Sequence, residues 1–131
     1  MRFFFDNCLS PKLARAIHAL VEPDHEVVPL RDIFPPSTPD TDWIGTLASE
    51  GDWIIVTSDH RIRSRPLERQ VWRTAKLTTF FMAEAFEQIP AWEQVRWMVD
   101  KWPLIVEQAE RVTGGAAFRV PKRGKKLESR G

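Results

Sequence analysis

At 131 residues, 43% of them hydrophobic and 28% charged, the chain is one soluble domain's worth and long enough to bury a single core. With 19 basic and 18 acidic residues its net charge is +1, which excludes a global attraction to nucleic acid; a polyanion would have to be met by a local cluster of charge. The lone cysteine, Cys8, excludes an intramolecular disulfide, fits a reducing compartment and is read as a packed thiol, while no apolar stretch reaches the roughly 20 residues that span a bilayer and no signal-peptide layout opens the chain, so the cytoplasm is the expected location.

The run Phe3-Phe4-Phe5 reads as a short strand buried on both faces, because such strands are continuously rather than alternately apolar. Asp6 ends it. Ser10 as N-cap and Pro11 at the first helical position start an amphipathic helix to Val21, with Leu13, Ile17, Leu20 and Val21 inward. A second strand is predicted over residues 25–30, followed by a loop stiffened by Pro35, Pro36 and Pro39. Thr38 as N-cap and Pro39 as first residue then open a helix carrying Trp43, Ile44, Leu47 and Ala48 that stops near Gly51, with Asp40 and Asp42 in its first turn.

The strongest strand spans residues 53–58, again apolar and β-branched, and again followed by an acid, Asp59. Arg61, Arg63, Arg65, Arg69, Arg73 and Lys76 follow with only Glu68 against them, and Pro66 opens a helix with Leu67 and Val71 inward. A fourth strand is expected over 77–82 and a helical pattern over 91–112, kinked or restarted at Pro103, with Trp92, Val95, Val99, Val106 and Ala109 inward. Gly114-Gly115 ends it, and residues 116–120 form a last strand. The domain is placed at 1–120, and 121–131, with five basic residues against Glu128, is expected to be a mobile tail. The tryptophans are read as core rather than as a base-stacking platform.

Strands alternating with helices argue for an α/β fold, a parallel sheet covered on both faces and joined by right-handed crossovers. Two strands ending in aspartate would bring Asp6 and Asp59 to one sheet edge, where like charges disfavour double ionisation. A divalent cation resolves that conflict, and an oxygen-only donor set selects Mg²⁺ or Mn²⁺ over zinc, ions that activate water in displacement at phosphorus. Taken singly, each aspartate is equally a turn or cap residue, and acids in a first helical turn complement the helix dipole without further role. No Gly-rich phosphate loop is present, which counts against nucleotide-cofactor folds.

The series Phe5-Asp6-Asn7-Cys8-Leu9-Ser10-Pro11, His25-Glu26-Val27-Val28, Arg31-Asp32, Thr38-Pro39-Asp40 with Trp43-Ile44, Thr57-Ser58-Asp59 with Arg61-Ile62-Arg63, and on through Ala117-Phe118-Arg119-Val120, resembles the PIN-like nucleases, in the group related to VapC-type toxins of toxin–antitoxin modules. The resemblance implies a three-layer α/β/α sandwich around a central parallel sheet and a metal-dependent endoribonuclease, with Asp6, Asp40 and Asp59 on the family's acidic positions holding Mg²⁺ or Mn²⁺. Asn7, Ser10 and Asp42 would orient the acids from behind, and Arg61, Arg63 and Arg65 would meet RNA. PIN nucleases commonly present four acids; arginines follow Asp59 here, leaving Asp32, Asp42 or Glu68 as the fourth. RNA, a cognate antitoxin and a second copy of the chain are the implied partners. Two other readings stand beside this one: a catalytically weak PIN-like module that binds RNA or a protein, and a small-molecule phosphotransfer or receiver-like domain.

Overall fold

The computed structural model describes residues 1–112 and 114–130; Thr113, inside the expected domain, and Gly131, at the end of the expected tail, lie outside the described residues. Strand β1 (Arg2–Phe5) lies inside the sheet, flanked in parallel by β2 (Glu26–Pro29) and β3 (Trp53–Thr57), which is why its three phenylalanines need no polar face. The sheet continues in parallel through β4 (Thr79–Met82) and β5 (Ala117–Val120) and ends with the antiparallel β6 (Glu128–Ser129), in the order β2-β1-β3-β4-β5-β6.

Alternate strand residues face opposite layers. Phe3, Phe5, Val56, Phe80 and Met82 pack against α1 (Pro11–Val21) and α5 (Ala91–Arg111), whereas Phe4, Ile55 and Phe81 pack against the one-turn α2 (Leu30–Ile33), α3 (Asp40–Glu50) and α4 (Pro66–Ala75). The protein is thus a three-layer α/β/α sandwich. Phe4 shows why Trp43 and Trp53 belong to the core: its ring centroid lies 4.9 Å from Trp43, 6.1 Å from Phe34 and 6.3 Å from Trp53.

The chain leaves β1 toward β2 over the α1 face and returns from β2 to β3 over the α3 face. The order therefore reverses between β1 and β3, the place where open α/β sheets form a crevice at the carboxyl ends of the strands. Three crossovers share one hand. The fourth, from β4 to β5, runs in the same direction as those through α3 and α4 but over the α1 face, so it has the opposite hand, contrary to the uniform right-handedness expected. The opposite face over β3 and β4 is already taken by α4, and α5 covers the side that would otherwise be bare, with Trp102 4.7 Å from Phe3.

Several local expectations shift. Ser10 does cap α1, its side chain accepting the Lys12 N–H, and Gly51 closes α3 at φ 77°. However, α3 begins one residue late, with Pro39 at the N-cap and Asp40 first, while the Thr38 hydroxyl donates to the Pro35 carbonyl. Pro103 does not restart α5, which runs unbroken; the carbonyl it cannot bond is that of Val99, a residue on the exposed side of the helix. Trp92 (81% exposed), Val99, Leu20 and Leu67 point outward rather than inward, and the stripe α5 buries is Trp97, Met98, Trp102, Ile105 and Ala109.

The basic tail is also held. Besides β6, the Trp97 indole donates to the Pro121 carbonyl at 3.1 Å, the Arg130 N–H to the Ala117 carbonyl at 2.7 Å, and the buried Lys101 ammonium to the Gly124 carbonyl. Residues 128–129 are thus an ordered sheet edge rather than the free end expected. Lys101→Ala removes the tether on a loop containing Lys122, Arg123, Lys125 and Lys126, so trypsin is expected to cut this loop faster in the variant, at unchanged sites elsewhere. Equal cutting rates would show that the ammonium does not restrain the loop.

Candidate active site

The backbone pairing of β1 and β3 extends one step past the strand, the Asp6 N–H donating to the Val56 carbonyl at 3.1 Å, and this fixes Asp6 in the crevice where the strand order reverses. Only 4% of Asp6 is exposed. Its Oδ1 accepts the Asn7 N–H, and its Oδ2 accepts the Thr57 hydroxyl at 2.9 Å. Burial, and after it the charge of Asp40, pushes the Asp6 carboxyl up to about 6; the bonds from Thr57 and Asn7 offset part of this, and Asp59 adds to it.

Thr57 is a hub that sequence reading passes over. Its Oγ1 donates to Asp6 and accepts the Asp59 N–H at 3.0 Å, so one hydroxyl at the last position of β3 sets both strand-end acids. A polar residue closing an otherwise apolar run is the signal that marks it. Asp59 is 9% exposed and caps a short 3₁₀ turn (His60–Arg63), accepting the Arg61 N–H at 3.0 Å. Arg61 also closes a fork on it, Nε to Oδ1 at 2.8 Å and Nη2 to Oδ2 at 3.2 Å. Burial works to raise the Asp59 pKa, and the bonds from Arg61 outweigh it and hold the carboxyl below its usual range.

Asp40, the first residue of α3, accepts the Trp43 indole N–H at 2.9 Å. Its pKa is raised, chiefly by burial and further by Asp59 and Glu68, with the Trp43 bond and Arg61 opposing. Asp6, Asp40 and Asp59 therefore share one field of negative charge, with Glu68 at its margin. Glu68 Oε1 lies 3.6 Å from the Arg65 guanidinium, while its Oε2 is buried and has no hydrogen-bond partner, which costs free energy. The all-oxygen donors and the orphaned oxygen fit Mg²⁺ or Mn²⁺ in kind. As the side chains stand, no three His, Cys, Asp or Glu residues among the described ones are close enough to hold an ion, because Asp40 is turned to Trp43 and Asp59 to Arg61.

The other residues singled out in the sequence are placed as follows. Asn7 binds Asp6 through its backbone, while its side chain joins Arg31 Nε (3.0 Å) to the Pro36 carbonyl (3.2 Å), fastening the proline loop beside the crevice. Ser10 is engaged as the α1 cap, and Asp42 is exposed on the first turn of α3. Asp32 pairs with Arg15 at 3.0 Å, on the side of the sheet edge formed by β2. Cys8 is exposed as a residue, yet its Sγ turns inward, 3.3 Å from Thr57 Oγ1 and accepting the Ser58 N–H at 3.3 Å; burial and the Asp6 charge push the thiol up to about 12, so it is not a nucleophile.

The arginines divide. Arg61 is on Asp59, and Arg65 is 3.6 Å from Glu68. Arg63 lies over the Phe81 ring at 5.5 Å, its Nε buried and unbonded, and its pKa is lowered by burial and by the neighbouring charges of Arg130 and Arg69. Arg130 of the C-terminal tail, far away in sequence, is thus a neighbour in charge of the arginine cluster.

Carboxylates at the point of an α/β/α sandwich where the strand order reverses lie where open sheets of this kind bind their ligands. A family model described as a PIN like domain matches residues 1–84, and the chain belongs to that family. PIN domains are generally nucleases. The match includes Asp6, Asp40, Asp59 and Glu68 and ends at Glu84, short of the resemblance that runs to Val120. No curated protein and no solved structure gives a match. No helix among the described residues is long and apolar enough to cross a membrane.

Proposed function

We propose that the protein is a Mg²⁺- or Mn²⁺-dependent endoribonuclease, acting as the toxin of a toxin–antitoxin module in the cytoplasm. The observation that carries the nuclease reading is the pairing of Asp6 and Asp59 through Thr57 in the crevice, with Asp40 close enough to raise the Asp6 pKa. The toxin role rests on the motif resemblance alone, and with it the expectation of an antitoxin partner and a homodimer.

In this reading Asp6, Asp40 and Asp59 hold the ion, Glu68 supplies the fourth carboxylate, and Thr57 keeps the two strand-end acids in register. When bound, the ion supplies Lewis acidity to water and to a phosphate oxygen. Arg61 and Arg65 are exposed cations paired with the acids of the crevice and bind the scissile phosphate; Arg63, packed on Phe81, contributes field rather than a direct grip.

Mixed single-stranded and structured RNAs are expected to be cleaved with Mg²⁺ or Mn²⁺, spared in EDTA, and spared by Asp6→Asn with metal present. Asp40→Asn is expected to lose on the order of a hundredfold in rate if Asp40 is a ligand, and only a few-fold if it serves the helix dipole. Cleavage that survives EDTA would remove the metal mechanism. RNA binding without cleavage under any metal would favour the second reading, a PIN-like binding module, which the turning of Asp40 and Asp59 toward Trp43 and Arg61 supports.

A further inference from the structure

Arg61 is 63% exposed at its side chain, yet its guanidinium is committed to both oxygens of Asp59. Asp40 and Glu87 are the next negative charges acting on it, so the guanidinium stands within the carboxylate field and not at its rim. A monovalent planar cation is therefore placed on an oxygen pair that the reading above gives to a divalent ion. The two oxygens of Asp59 are held differently. Oδ1 accepts the Arg61 backbone N–H at 3.0 Å through the turn, independently of the side chain, as well as Nε at 2.8 Å, whereas Oδ2 is held by Nη2 at 3.2 Å. Withdrawing the guanidinium leaves Asp59 aimed as before with Oδ2 released.

We propose that Arg61 is an internal counter-ion that competes with the divalent ion for Asp59 and, once displaced, takes the RNA phosphate, so that metal and RNA bind with positive coupling. This rests on the metal-dependent reading above. An exposed arginine pays little to swing, and its fork matches a phosphate as well as a carboxylate. Linkage then runs both ways: a phosphate that captures the guanidinium frees Asp59 for the ion, and the ion frees the guanidinium for the phosphate.

The test is calorimetric titration of Mn²⁺ into the parent chain, Arg61→Gln and Arg73→Gln, with and without a 2′-O-methyl oligoribonucleotide as an uncleaved phosphate donor. Arg73, exposed in the last turn of α4, is the control, a charge of the same arginine run to which the reading above gives no role in the site. Arg61→Gln is expected to bind Mn²⁺ about tenfold more tightly than the parent, and Arg73→Gln to stay within about threefold of it, with Arg61→Lys, which keeps the charge but not the fork, between them. The oligonucleotide is expected to tighten Mn²⁺ binding severalfold in the parent and to lose that effect in Arg61→Gln. Equal affinity in the parent and Arg61→Gln, an equal gain in Arg73→Gln, or an oligonucleotide effect that persists without Arg61 would each overturn the exchange while leaving the metal site intact. Failure of all four proteins to bind Mn²⁺ would remove both the exchange and the metal-dependent reading.

Discussion

Asp6→Asn is expected to make the metal-free protein more stable at neutral pH while ending RNA cleavage. The rise of the Asp6 carboxyl from 3.8 to about 6 means that the folded state binds its proton more tightly than the unfolded chain does. The sign follows from linkage: the penalty is absent below about pH 4, grows as pH climbs to about 6, and is fully present above it, where it reaches roughly 3 kcal/mol. An amide carries no such penalty and can still accept the Asn7 N–H and bond to Thr57. The variant should therefore gain about 2 kcal/mol over the parent near pH 8 and lose this advantage below about pH 4. Asp59, whose carboxyl is held low, acts in the opposite direction, stabilising above its unfolded value and losing that contribution as pH falls; it is present in both proteins, so the comparison isolates Asp6 apart from their mutual repulsion. Urea unfolding in EDTA across this range measures the effect, and a difference that does not change with pH would contradict the raised carboxyl.

Thr57→Val is expected to be the most damaging single change at the crevice. It keeps the shape of the side chain but strips the donor from a buried carboxylate and the acceptor from the Asp59 N–H, a loss of about 2–4 kcal/mol. The Asp6 carboxyl should rise further, because a bond that favours its charged form is gone. Thr57→Ser retains the hydroxyl and should recover most of the stability. The midpoint of urea unfolding at constant slope separates the two, and a valine variant as stable as the serine one would mean that the hydroxyl does not link the acids.

The strands were legible because a continuous apolar run has one economical explanation in a mixed α/β chain, burial on both faces, and this held for β1, β3 and β4. The α1 start was legible from Ser10 and Pro11, whose roles are local. The inward face of α5 was legible only in part: Ala109 is buried and Val95 and Val106 pack against the core, but Trp92 and Val99 are exposed, and the stripe is filled by Trp97, Met98, Trp102 and Ile105, which periodicity alone does not single out on a helix apolar on more than one side. At the site, the strand-end positions of Asp6 and Asp59 could be read from the pattern, as could Asp40 at a helix start. The partners that set their charge could not: Thr57 stands 51 residues from Asp6, and the fork of Arg61 on Asp59 depends on a turn whose geometry no motif records.

The connection of opposite hand bears on what can fold alone. Residues 1–84, matched by the family, contain Asp6, Asp40, Asp59 and Glu68, yet the helix that covers one face of their sheet together with α1 lies beyond them. Without α5, the side of the sheet carrying Phe3, Phe5, Val56, Phe80 and Met82 would be roofed by α1 alone, and much of that aromatic surface would face water. The family match thus covers less of the chain than the sheet uses to cover its own core.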